Sequence, residues 1–528
     1  KRQAMRVVSV AAASARSAQV LNTRDPSAPA PIDEREAWGE VGAEVMSALA
    51  LSGWGSKGRP PIARMTTGGA VLAGTAVEAQ SGLARREDPP DLAYLATSVG
   101  VAAGLNGVVA GLVGAVYGAG RLGRRLTGRT GPVGSLALVA GSVVAVAAIG
   151  TGLKIGLGMA LGKIAASNRM TEIAYAEVPD ANGVSGSRYS LAPYDTLGLQ
   201  GRRLVSEHTP VEDIAAVMGE PMRKPPVRVY IGLGSATDED ERVELAIQEL
   251  KRAGGFDRSL IIAASPAGTG YVNYIAVEAA ELMARGDVAT VAIQYGEVPS
   301  MLSIDKVGAA ANVYGKLVRR LRSEIDDLDR GIRLAAYGES LGAITCQMGV
   351  LDASPGIDAL AVDHALWVGT PQGSKLFAAL TGAGVPVFDH FDEIRSHLSA
   401  GNDAPDVYFL NHDNDPVTKF TPELFYKMPD WLATNDRGRN MDPSQRWLPG
   451  IMFWQTLIDT KNAATVVPGE FFSTGHDYRA DLAEFIRAAY GFSDVSDAQM
   501  EAIEERLRHS EVTRAAKIAE GRVSTEVA

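Results

Sequence analysis

Three side chains have the types, and stand in the chain order, of an acyl-transfer relay. Ser340 lies in Gly338-Glu-Ser-Leu-Gly342, Asp415 in Asn411-His-Asp-Asn-Asp-Pro416, and His476 in Gly475-His-Asp-Tyr478. A serine hydroxyl is a poor nucleophile until a base takes its proton. Histidine is such a base, and a carboxylate behind it holds the tautomer and steadies the imidazolium. Asp413 is the reserve for the acid. Two backbone N–H donors must also face the oxyanion. Leu341, next after the serine, supplies one. The other is expected from Ser265-Pro-Ala-Gly-Thr-Gly270, with Gly268 and Thr269 as the donors. Taken singly, each residue has a plainer reading: a histidine before a helix is usually structural, and an aspartate at a turn is usually a cap. A G-x-S-x-G match also carries little weight alone in a chain with 57 glycines. The joint order Ser, Asp, His gives the set its force.

These residues need a scaffold, and the pattern from Val227 onward provides one. Apolar runs at 227–233, 259–264, 288–293, 334–338, 365–369 and 406–410 read as strands. Amphipathic stretches at 241–251, 276–285 and 309–325 fall between the first four. Strands that alternate with helices predict a doubly wound, mostly parallel α/β sheet covered on both faces. The serine then sits where a strand turns into a helix, flanked by glycines that a side chain could not replace without a clash.

The amino-terminal third has a different character. No charged residue occurs in 92–120 or in 131–153, and each stretch exceeds the roughly 20 apolar residues that cross a bilayer. A third stretch, 65–83, is interrupted by Glu78. Glycines four apart (Gly107 with Gly111, Gly114 with Gly118) suit close helix packing within the chain or between copies, so a homo-oligomer is one expected partner and the lipid bilayer another. Arg121, Arg124, Arg125 and Arg129 lie between the two strong spans and predict a cytoplasmic connection, which leaves the domain that follows on the outer side. The expected organisation is an amino-terminal segment (1–63), a helical transmembrane domain (64–170), a linker (171–225), an α/β domain (226–492) and an amphipathic tail (493–528).

Other chemistries fit poorly. The net charge is −11 and no basic face is sustained, which argues against a nucleic-acid partner. The single cysteine, Cys346, rules out an intrachain disulfide and a cysteine-based metal site. Seven histidines occur without metal-binding spacing, so neither a metal nor a cofactor is expected. Gly232-Leu-Gly234 resembles the start of a dinucleotide fingerprint, but Thr237 stands where the third glycine belongs, and the acidic run 238–241 would repel a pyrophosphate.

Residues 226–490 resemble the bacterial, largely actinobacterial, membrane-anchored α/β-hydrolase family, in which membrane helices precede the catalytic domain. The matching stretches include Gly201-Arg-Arg-Leu-Val, Val229-Tyr-Ile-Gly-Leu, Pro266-Ala-Gly-Thr-Gly-Tyr-Val, Gln294-Tyr-Gly-Glu-Val-Pro-Ser, Gly338-Glu-Ser-Leu-Gly, Ala365-Leu-Trp-Val-Gly and Gly475-His-Asp-Tyr-Arg-Ala-Asp-Leu. The resemblance implies an α/β-hydrolase fold and a serine-hydrolase core on Ser340, Asp415 and His476. It implies a place in the bacterial inner membrane, and it leaves the substrate open. Tyr295-Gly296 stands where the family pattern has Tyr-Ser. Between Val417 and His476 an insertion, about 418–465, carries Trp431, Trp447 and Trp454, which with Tyr271 and Tyr295 are the expected pocket residues under a lid. The plainer alternative is that a long insertion needs a core of its own. The expected activity is cleavage of a carboxylic ester of a lipid or lipophilic substrate. Acyl transfer through the same acyl-enzyme and a non-catalytic membrane scaffold are the alternatives.

Overall fold

Burial on both faces turns short apolar segments of this chain into a parallel sheet. The computed structural model describes residues 172–526 apart from 298–305, 354–360, 403–404, 434–436, 443–444, 446, 448–450 and 464–465. The sheet and its helices form one compact unit, 163–419 with 463–528, while 420–462 belongs to another.

Seven strands make up the sheet: β1 (Val227–Ile231), β2 (Leu260–Ser265), β3 (Val288–Ile293), β4 (Arg333–Glu339), β5 (His364–Val368), β6 (Val387–Phe388) and β7 (Val407–Leu410). Their order is β1-β3-β2-β4-β5-β7-β6, and every pair is parallel. Every residue of β1, β2 and β3 is buried, so these strands read as mostly apolar runs, not alternating ones, with Arg228 the one charge among them. The short edge strand β6 was not expected from the sequence; two residues carry no period.

Ahead of the sheet, α1 (Gly198–Ser206) and α2 (Val211–Met218) lie in the stretch read as a linker. Leu197, Leu204, Val205, Ile214 and Met218 from this stretch enter the main core. Ser185 N donates to Arg228 O and Arg228 N to Gly183 O, so the chain at 183–185 occupies the otherwise open edge of β1. The helices between strands are α3 (Glu239–Ala253), α4 (Tyr274–Met283), α5 (Val307–Leu328), α6 (Leu341–Ala353), α7 (Lys375–Gly382) and α8 (Phe391–Ser399). Neither α7 nor α8 was expected. After β7 come a short turn, α9 (Pro416–Lys419), then α10 (Ile451–Asn462), α11 (Arg479–Ala489) and α12 (Asp497–Glu526). Helices α3, α5, α6 and α7 pack together on one face, and α4, α8, α11 and α12 on the other. The acidic run 238–241 opens α3: Asp238 accepts from Glu241 N at 2.8 Å, and the following acids face the positive end of the helix dipole.

In the insertion, Leu424, Leu432, Trp447 and Met452 build a separate small core, against which Trp431 packs. Trp447 Nε1 donates to Leu424 O at 2.9 Å. Among the described residues no helix is long and apolar enough to cross a membrane. The spans expected at 65–83, 92–120 and 131–153 lie outside the described residues.

Candidate active site

The strand order changes direction around β2 and β4, and ligands of open α/β sheets bind at the carboxyl ends of strands beside such a switch. Ser340 stands there, between β4 and α6. Its φ of +57° lies in the left-handed region that L-residues avoid, and Ser340 N donates to Val368 O at 2.9 Å. The tight approach behind the turn explains Gly342: a Cβ there would lie 2.3 Å from Ser265 O and 2.9 Å from Pro266 O. The start of α6 is therefore in backbone contact with the loop expected to complete the oxyanion site.

That loop is a closed turn. Ala267 N donates to Tyr271 O and Gly270 N to Ala267 O, each at 2.8 Å. Leu341 is the first residue of α6, where N–H groups have no intrahelical acceptor. Gln294 ties the loops together: its side chain donates to Gly296 O at 2.9 Å and Thr269 O at 3.4 Å and accepts from Leu233 N at 3.3 Å.

The other two candidate residues pair with each other. His476 Nδ1 is 2.7 Å from Asp415 Oδ2. Gly369, just past β5, packs so closely on the imidazole that a Cβ there would meet His476 Cε1 at 2.9 Å. Ser340, bonded to Val368, and His476, packed on Gly369, thus flank the same peptide unit. Among the described residues no hydrogen bond joins Ser340 Oγ to His476; such contacts are often long before substrate arrives and tighten with it. The carboxylate on His476 is that of Asp415; the backbone N–H of Asp413, the reserve, donates to Asp389 at 2.6 Å.

Asp415 is fully buried and its oxygens are all engaged. Oδ1 accepts from Val417 N at 2.7 Å, and Oδ2 accepts from both His476 Nδ1 and Tyr478 Oη, the latter at 2.6 Å. Burial and the Asp415 carboxylate raise the Tyr478 hydroxyl far above its ordinary range, so it remains a donor. Burial alone would lower His476. The Asp415 charge and hydrogen bond, with Glu339 and Asp477 adding negative charge, outweigh it and leave the imidazole above its ordinary 6.5. Glu339 is itself held by Asn273 Nδ2 at 2.8 Å and Tyr337 Oη at 2.9 Å.

Of the expected pocket residues, Tyr271 is half-buried against Tyr274, ring centroids 5.2 Å apart. Tyr295 lines a small cavity with Ser265, Pro266, Tyr314 and Thr345, at the start of the 265–270 loop. Trp431 and Trp447 belong to the insertion's own core, and Trp454 lies on α10. Sequence reasoning missed Tyr478, Asn414 and Glu339. The first was signalled by its place two residues after His476, and the others by their places beside Asp415 and Ser340. Among the described residues no cluster of His, Cys, Asp or Glu is placed to hold a metal ion.

A family model described as the alpha/beta-hydrolase family matches residues 227–503, which include Ser340, Asp415 and His476. The chain belongs to this family. A second model, for the amino-terminal part of the same family, matches residues 64–208. Comparison with curated proteins and with solved structures returns no match. Membership carries a hydrolase-type function, and the seven-stranded parallel sheet with helices on both faces fits the α/β-hydrolase fold.

Proposed function

We propose that this α/β-hydrolase is a serine hydrolase that cleaves carboxylic esters of a lipid or lipophilic substrate through an acyl-enzyme on Ser340. The observation that carries the reading is the left-handed Ser340 turn at the end of β4, with the buried Asp415–His476 pair packed on the neighbouring Gly369. In the first half-reaction, Ser340 Oγ attacks the acyl carbonyl while His476 Nε2 takes the hydroxyl proton. The oxyanion rests on Leu341 N–H and a donor from the 266–270 loop. His476 then returns the proton to the departing alkoxide, and the alcohol leaves. In the second, a water gives one proton to the imidazole as it attacks the acyl carbon; the bond to Ser340 Oγ then breaks, His476 passes that proton to the serine oxygen, and the acid leaves. An alcohol in place of water would make the same site an acyltransferase. A bilayer location is part of the proposal, supported by the uncharged stretches 92–120 and 131–153, both within the region matched by the amino-terminal family model.

A fluorophosphonate probe tests the reading directly. The expected result is one covalent adduct per folded molecule, mapped to the peptide that carries Ser340. Absence of an adduct, or its recovery on another residue, would overturn the proposal.

The raised His476 sets a pH dependence. Only the neutral imidazole can accept the serine proton, so the acid limb of kcat/KM is expected above pH 6.5, histidine's ordinary value. Glu339→Gln keeps an oxygen for Asn273 and Tyr337 but removes a negative charge near His476, so the limb should move toward lower pH. A pH–rate profile for both proteins checks the sign. A limb that moves upward, or stays still, would remove Glu339 from the electrostatics of the base.

A further inference from the structure

Behind the catalytic pair stands a second histidine–carboxylate pair that the chemistry above leaves unused. His412, two residues past β7, and Asp481, the third residue of α11, are both fully enclosed. His412 Nε2 lies 3.0 Å from Asp481 Oδ2, and His412 Nδ1 lies 2.9 Å from Gly475 O. A backbone carbonyl has no proton to give, so Nδ1 carries hydrogen and donates to it. The Nε2 contact needs a further proton, held either by the ring beside an ionised carboxylate or by Asp481. In both forms the pair is neutral overall, which its full enclosure favours. Asp481 Oδ1 accepts from Phe391 N at 3.1 Å, so the carboxylate is fixed in turn.

What His412 holds is the segment that presents the base. Gly475 immediately precedes His476 and has a φ of +60°. Its carbonyl is bound by His412, and its N–H donates to Asn414 Oδ1 at 2.7 Å. The His412 ring also stacks on Tyr478, centroids 4.1 Å apart, and its backbone N–H donates to Tyr478 Oη at 3.2 Å. That hydroxyl donates onward to Asp415. His412 therefore touches both supports of the relay: the peptide from which His476 projects and the tyrosine that shares Asp415.

We propose that His412 is a positioning residue for the catalytic imidazole, its Nδ1–H anchoring the Gly475 carbonyl and Asp481 anchoring its ring. The proposal rests on Ser340 and His476 acting as described above. If the pair only fastened β7 to α11, loss of either ring contact would affect stability and leave turnover per folded molecule alone.

Two amide substitutions separate these roles. The amide nitrogen of Asn reaches about where Nδ1 lies, and that of Gln about where Nε2 lies. His412→Asn therefore retains the Gly475 bond and His412→Gln the Asp481 bond. Asn leaves the buried Asp481 Oδ2 without its partner and Gln leaves the Gly475 carbonyl without its donor, so both melting temperatures should fall, that of His412→Asn at least as far as that of His412→Gln. Turnover should part company: kcat of His412→Asn within about threefold of the original protein, and kcat of His412→Gln lower by roughly 10- to 100-fold with KM little changed. Equal kcat in the two variants, or losses that follow melting temperature, would overturn the positioning role. Fluorophosphonate labelling of the unmodified protein is run alongside. No adduct at Ser340 would sink the hydrolase reading and this proposal with it; an adduct together with equal variants would sink this proposal alone. If neither variant folds, ring 15N NMR of the unmodified protein decides: protonated Nδ1 on His412 is expected, and an unprotonated Nδ1 would refute the anchor.

Discussion

The substitution Asp415→Asn is expected to lower ester turnover by on the order of 10^4-fold, with KM and folding little changed. The reason lies in how the two carboxylate oxygens are used. Oδ1 accepts from Val417 N, and Oδ2 accepts two hydrogens, from His476 Nδ1 and Tyr478 Oη. An amide offers one oxygen and one NH2. If the oxygen stays with Val417, the NH2 confronts His476 Nδ1, which must then become an acceptor. The ring proton moves to Nε2, the very atom that should take the proton from Ser340. If the amide flips, the NH2 opposes Val417 N–H instead. Either arrangement loses the charge that steadies the imidazolium as the serine attacks. Steady-state kinetics with a soluble ester, read together with thermal melting, measure the effect. A loss below about tenfold in a normally folded variant would take Asp415 out of the relay.

Much of this site was legible in the chain before any contact was known, because chain order follows topology. The serine had to close one strand, the acid a later one, and the base had to precede a final helix. Residues 340, 415 and 476 satisfy that order, and α11 begins at Arg479. The strands were legible for a related reason: covered on both faces, β1, β2 and β3 are fully buried and show as mostly apolar runs without alternation. Choosing Asp415 over Asp413 was harder, since both lie in one turn with similar neighbours. The structure separates them by partner, Asp413 N–H facing Asp389 and Asp415 facing His476. Out of reach were contacts between residues with no shared period. Nothing local to His412 announces Asp481, 69 residues away, and nothing local to Arg228 announces Glu281, 53 residues away. The reach of the insertion's tryptophans was likewise invisible: apolar residues at helical spacing suit a pocket and a private core equally well, and Trp447 serves the core.

Arg228 interrupts the apolar pattern of β1, and its removal is expected to cost a large share of the domain's stability. Its side chain and that of Glu281 are 0% and 1% exposed. The guanidinium grips the carboxylate with two bonds, Nε to Oε1 at 2.6 Å and one NH2 group to Oε2 at 2.7 Å, and donates a third to Leu204 O at 2.8 Å. Thr209 donates to the same carboxylate from its N–H and its hydroxyl. One turn away on α4, Glu278 is paired with Arg514 of α12, so two cations and two anions share this buried region. Arg228→Met leaves one carboxylate in excess there, which costs about 3–5 kcal/mol. The double substitution Arg228→Met with Glu281→Leu removes both charges, together with the penalty of taking them out of water, and should cost less than Arg228→Met alone. It leaves three bonds unmade, one at Leu204 O and two at Thr209, about 1 kcal/mol each. Chemical denaturation of these two variants and of Glu281→Leu alone completes the cycle, and a double-variant loss equal to the sum of the two single losses would show that the pair is not energetically coupled. Arg228 is the second residue of β1, whereas the relay gathers at the strands' carboxyl ends. Turnover per folded molecule should therefore stay near the original value in both variants, because the pair fastens β1, α1 and α4 without touching a group that moves a proton.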